Sequence, residues 1–168
     1  MQRELIAAAL AIAAVAAHAD CRVVFGQGRN LRQLGGPDWD DINQRFNTAV
    51  VDALDGHDQQ HAYPLTMASA QTDVQAIGRT LLKQADQQGC RTLVETAVFT
   101  DDQGTLVLRL RAYPLLPEIG DGGAVVGLRF GTPSFVTQRE LPPAAVLRMK
   151  TEELAARMAA EYLQRDAR

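Results

Sequence analysis

Few residues in this 168-residue chain have the types and spacing that chemistry requires. Gly26 and Gly28 form a G-x-G after a β-prone run, but no third glycine follows at dinucleotide spacing and there is no phosphate-loop signature. The stretch "HDQQH" sets His57 and His61 four apart with Asp58 between them, a metal-like composition. It follows Gly56 at a helix end, where a helical i, i+4 pair does not form, so no metal site is assigned. Ser69 and Ser134 are the only serines, and neither lies in the G-x-S-x-G context of a nucleophile elbow. Glu118 and Asp121 share one loop and do not face each other as paired-carboxylate hydrolysis needs. No catalytic residue and no cofactor are assigned, and a hydrolase is the weakest reading.

Two sets of residues remain. Glu95 falls in a strand pattern on the side of Leu93, Ala97 and Phe99, where an unpaired carboxylate is costly. Either the strand end is open to water there, or an arginine meets it, or Glu95 marks a ligand pocket. The second set is Arg109, Arg111, Arg129 and Arg139, which can form a basic stripe across adjacent strands and hold an acidic partner surface through bidentate guanidinium–carboxylate bonds. Exposed charges of this kind add little to stability, so replacing Arg109 and Arg111 is expected to leave unfolding nearly unchanged.

The elements that position these residues follow from periodicity. "CRVVF" reads as a first strand stopping at Gly26, with a glycine-bearing loop to Pro37. A helix then starts at Asp38 with Asp40 and Asp41 in its first turn, carries Ile42, Phe46, Ala49, Val50, Ala53 and Leu54 at helical spacing, and closes at Gly56. "HAYPLTMA" is a short strand that Pro64 confines to an edge. Thr72-Asp73 opens a second helix with Val74, Ile77, Leu81 and Ala85 inward and Gly89 at its end. "CRTLVETAVF" and "TLVLRLRAY" flank "TDDQG" as a hairpin. If Thr100 pairs with Thr105, Leu106, Leu108 and Leu110 share the apolar face, and Thr92, Thr96, Arg109 and Arg111 share a wetter one. "PLLPEIGDGG" reads as a connection, followed by strand material broken at Gly131-Thr132-Pro133 and stopped at Pro142-Pro143. A last helix, in one or two pieces, carries Leu147, Leu154, Met158 and Tyr162. The expected fold is a single α/β domain with a mixed sheet and about three helices, in the order β-α-β-α-β-β-β-α.

The amino terminus has Arg3, an apolar run from Leu5 to Ala17 and Ala17-His18-Ala19 as a small-x-small exit, the pattern of a secretory signal peptide over residues 1–19. Residues 20–168 are then the exported domain, expected in the periplasm. Asp20 and His18 do not fit a lipoprotein signal before Cys21. Cys21 and Cys90 are the only cysteines, and in an oxidising compartment they are expected to pair. A formal net charge of −3 supplies no basic field, so nucleic acid is not an expected partner, and no apolar run is long enough to span a membrane.

At "QADQQGCRTLVETAVFTDDQGTLVLRLRAYPLL" the chain resembles the periplasmic fold shared by the amino-terminal domain of the Tol-system translocation protein TolB, the curli-secretion lipoprotein and the lipoprotein activators of penicillin-binding proteins. The resemblance lies in element order, with Gly89, Leu93 and Val94 in a G-x-x-x-L-V context. It implies a non-enzymatic accessory role in envelope assembly or transport through contact with a periplasmic or outer-membrane protein, and it transfers no site residue. The alternative is a small-ligand binder with a pocket near Glu95 and the 26–37 loop.

Overall fold

A computed structural model describes residues 21–29, 39–55, 62–64, 73–101, 103–146 and 148–166. The signal-like segment, most of the 26–37 loop, the His57/His61 pair and Leu147 lie outside the described residues.

The elements run β1 (Arg22–Arg29), α1 (Trp39–Leu54), β2 (Ala62–Pro64), α2 (Val74–Gln88), β3 (Thr92–Thr100), β4 (Leu106–Ile119), β5 (Val125–Phe130), β6 (Phe135–Leu141), α3 (Pro143–Val146) and α4 (Thr151–Asp166). The sheet is mixed, in the order β2-β1-β3-β4-β5, with β6 also on β4. β1 is parallel to both β2 and β3, and the remaining pairs are antiparallel. This is the expected α/β class, with three long helices and the one-turn α3.

Each long helix buries one stripe. In α1, Ile42, Phe46, Val50 and Leu54 recur every four residues and are buried. In α4 the buried positions include Ala155, Met158, Ala159 and Tyr162. Together they cover one sheet face, on Val24, Val94, Val98, Leu106, Leu108 and Leu110. Full burial of a large apolar side chain contributes roughly 1.5–3 kcal/mol, which is what holds these two helices down. The other sheet face takes α2, whose Leu81 and Ala85 pack with Val23, Leu93 and Leu115.

The ends of α2 are set by local chemistry. Asp73 accepts hydrogen bonds from the Gln75 and Ala76 amides, satisfying donors that the first turn leaves open. Gly89 stops the helix at φ 73°, a left-handed backbone that glycine adopts without strain. The chain then reverses directly into Cys90 and β3. Because β1 and β3 are parallel neighbours in register from Arg22↔Thr92, the residues at their starting ends meet, and Cys21 and Cys90 form the expected disulfide with Cα atoms 4.6 Å apart.

Four details differ from the sequence expectations. β1 does not stop at Gly26 but continues to Arg29, because Gly26 and Gly28 pair in register with Thr96 and Val98 and the β3 ladder holds them extended. "PLLPEI" is the far half of a 14-residue strand, not a connection. Pro114 sits where the partner ladder is interrupted between β5 and β6, beside Gly131, whose amide donates to the Pro114 carbonyl and whose Cβ would clash with the proline ring. At Pro117 the missing amide faces the side that β3 no longer reaches, so no ladder bond is lost.

The third difference is the hairpin register. Thr100 pairs with Leu106, not Thr105. Asp101 closes the intervening loop by accepting from the Gln103 and Thr105 amides. A one-residue slip exchanges the faces of a strand. Leu106, Leu108 and Leu110 therefore lie with Val94, Thr96 and Val98, and Arg109 and Arg111 lie with Leu93, Glu95, Ala97 and Phe99. Thr96, expected on the wetter face, is fully buried under α1, where Asn47 Nδ2 donates to its hydroxyl oxygen at 3.1 Å and the hydroxyl donates to the Phe25 carbonyl.

The fourth difference is that the four arginines do not make one stripe. Arg109 and Arg111 are on the α2 face. Arg139, opposite Leu108, is on the α1/α4 face, where it pairs with Glu161. Arg129 lies opposite Leu116, on the same side as Arg139, and is exposed.

Candidate functional site: the cleft beneath α2

The register lays residues of β1, β3 and β4 in transverse rows on the α2 face: Val23–Leu93–Tyr113, then Phe25–Glu95–Arg111. α2 crosses these rows with Ile77, Gly78 and Leu81, and Phe130 of β5 closes one side. Between helix and sheet lies a cleft of about 380 Å³, with Gln27 at its β1 wall. Such a volume is in the range of small-molecule sites. Its walls are mainly apolar, and its floor holds one charged pair.

Glu95 is 8% exposed and is met by an arginine, one of the outcomes its position required. Arg111 Nε donates to Glu95 Oε2 at 2.7 Å, the Tyr113 hydroxyl donates to the same oxygen at 3.2 Å, and Arg111 Nη2 forms an ion pair with it at 2.5 Å. The Arg111 guanidinium centre also lies 5.5 Å from the Tyr113 ring centroid. Both hydrogen bonds and the ion-pair contact fall on Oε2, and among the described residues no hydrogen bond is made by Oε1 or by Arg111 Nη1. Arg109, one row further along, lies over Phe99 at 5.3 Å. Phe130 packs edge-on against Tyr113, with ring centroids 6.3 Å apart.

Burial raises the Tyr113 pKa above 10.0, and the neighbouring Glu95 raises it further, against an opposing pull from Arg111. Tyr162, buried on the opposite face, is raised chiefly by burial as well, against the hydrogen bond from Arg22. A folded-state pKa above the unfolded value means that the stabilisation is complete below the unfolded pKa and is lost as pH rises through the folded one. The protein is therefore expected to lose stability above about pH 10, the ordinary tyrosine value. Denaturant midpoints measured from pH 8 to 11 should fall less steeply in Tyr113→Phe than in the wild type.

The sequence indicated Glu95 but missed Tyr113, Gly78, Gln27 and Phe130. Tyr113 was legible only with the correct register, because it shares the face of Glu95 two residues beyond Arg111. Nothing local marks Gly78 or Phe130, which are brought together by packing of α2 on β5. Among the described residues, no group of three or more His, Cys, Asp or Glu could hold a metal. No described helix is long and apolar enough to cross a membrane.

The second feature is the projecting β4–β5 arm. Beyond Leu115, whose amide donates to the Arg91 carbonyl just ahead of β3, β4 pairs with β5 alone. The large exposed apolar residues among those described are Leu116, Ile119, Val125, Val126, Phe130 and Val136. All six belong to the end of β4 or to β5 and β6, and Val125 and Val126 are each 65% exposed. A bulge at Glu118/Ile119 sets Val126 against Gly120, which has no room for a side chain.

No protein-family model matches the chain, and no curated protein matches its sequence. Among solved structures, the chain is similar to a PelC dodecamer from Paraburkholderia phytofirmans, at 15% identity and a TM-score of 0.41 over 88% of each chain. It is also similar to the hypothetical protein CT253 from Chlamydia trachomatis, at 7% identity and a TM-score of 0.34 over 73% of each chain.

Proposed function

We propose that this chain is an exported, non-enzymatic accessory protein of the cell envelope that acts by docking a protein partner through the β4–β5 arm. The observation that carries this reading is that, among the described residues, five of the six exposed large apolar side chains, all but Val136 of β6, lie on that strand pair. Apolar surface gathered in one patch, rather than scattered singly, is the mark of an interaction site. A strand pair that projects past its neighbours can insert into, or lie along, a partner without disturbing the core. Export is supported by the disulfide, since such bonds persist in oxidising compartments. In this reading the chain joins the envelope accessory domains whose element order it resembles, and its partner is a periplasmic or outer-membrane protein.

The arginine pair Arg109/Arg111 is not the docking surface in this reading, because Arg111 already serves Glu95. The test is Val125→Asp combined with Val126→Asp. Both side chains are solvent-facing, so unfolding should change by no more than about 0.5 kcal/mol per site. The wild-type protein in a native envelope extract is expected to sediment in a complex and the double variant as the free chain. Identical sedimentation of the two would remove the arm as the docking site.

A further inference from the structure

The docking reading leaves the cleft beneath α2 without a role. We propose that this cleft is a binding site for a neutral amide carried on an apolar or aromatic group. The floor supplies the polar specificity. Glu95 Oε1 is an acceptor with no hydrogen bond among the described residues, and Arg111 Nη1 is a donor in the same condition. An amide offers one N–H and one carbonyl oxygen, which complements that pair. A carboxylate would instead face Glu95, and an ammonium would face Arg111. Either charged group meets one repulsive neighbour in a site whose walls give it little hydration. The walls supply the apolar contact, with Leu81, Leu93 and Phe130 around the floor.

Gly78 is a second, independent observation. It stands inside α2, past the first turn, where glycine is about 1 kcal/mol less favourable than alanine. It lines the cleft, and a Cβ there would make only an ordinary contact at 3.9 Å with Phe130. Packing does not demand a glycine at this position. The absent side chain does keep the space between α2 and Phe130 open.

The probes are benzamide, benzoate and benzylamine, which share a ring and differ in the polar group, and N-acetylphenylalaninamide, which carries the same chemistry in peptide form. Each is titrated into the full exported chain and followed by amide chemical shifts. Benzamide is expected to move the resonances of Gly78, Leu93 and Phe130, and to bind at least roughly ten-fold more tightly than either charged probe, the factor that one hydrogen bond to a charged group is worth. Tighter binding of N-acetylphenylalaninamide than of benzamide identifies the source as a peptide segment, and the reverse identifies a small molecule. Gly78→Leu fills the cleft from a helix position that favours leucine, so it should keep the thermal midpoint at or above the wild-type value while abolishing the shifts. Equal binding of benzamide, benzoate and benzylamine, or undiminished benzamide binding by Gly78→Leu, would overturn the proposal. Shifts confined to the β4–β5 arm would overturn it too, and would leave the docking reading intact.

Discussion

Replacing Cys21 and Cys90 together by alanine is expected to destabilise the fold by about 4 kcal/mol, on the loop-entropy account of disulfides. The bridge spans a sequence separation of 69 residues, a span that includes α1, β2 and α2. Without it the unfolded chain gains the freedom of that whole loop. The folded state changes less, because β1 and β3 remain paired over eight residues of parallel ladder. Both cysteines are buried, so alanine is the fitting replacement and leaves no unpaired hydroxyl in the core. The thermal midpoint should fall by roughly 10 °C for a domain of this size. Calorimetry of the double variant checks this, and reductant should lower the wild-type midpoint by a similar amount. A midpoint insensitive to both would mean that the ladder alone sets the unfolding of this half of the sheet.

The second large effect is expected at Arg111, and it reverses the dispensability that strand alternation suggested. With leucines 106, 108 and 110 taken as the partners of Leu93 and Ala97, both arginines appear on a wet face. In the actual register Arg111 is the main counter-charge of Glu95, whose side chain is 10% exposed while that of Arg111 is 27% exposed. Arg111→Met removes Nε and Nη2 and leaves the Tyr113 hydroxyl as the remaining donor to the carboxylate. Breaking a fully buried pair by deleting one partner costs 3–5 kcal/mol, and the partial exposure here reduces the expected loss to about 2 kcal/mol. Adding Glu95→Leu should recover most of it, since an apolar pair of similar volume no longer strands a charge. Denaturant midpoints of the two single variants and the double variant measure the coupling. Additive losses would show that the two side chains do not depend on each other.

How much of this could be read beforehand depends on whether the signal is local. α2 was legible to within a residue because its start, Asp73, and its stop, Gly89, act on their own neighbouring backbone. The disulfide was legible because Cys21 and Cys90 are the only cysteines of a chain expected in an oxidising compartment, whereas the placement of β1 beside β3 that brings them together is not set by element order. The register of β3 and β4 was not legible, because it turns on how Asp101 closes its loop, and a single residue of slip exchanges the partners of Glu95. The length of β4 was hidden by Pro114 and Pro117, which normally exclude strand. Both are accommodated here because one stands at a break in the neighbouring ladder and the other at a free edge. The cleft was half legible: Glu95 stood out as a carboxylate among apolar alternation, whereas the approach of Gly78 to Phe130 joins two elements that carry no mark of each other.

The claim that the β4–β5 arm docks a protein partner is tested most directly by photo-crosslinking in the intact envelope, with a photoreactive residue placed at position 126 and, as a control, at position 79 on the exposed side of α2. A discrete adduct with another protein chain is expected from position 126 and none from position 79. An adduct of equal yield from both positions, or none from position 126, would contradict that claim.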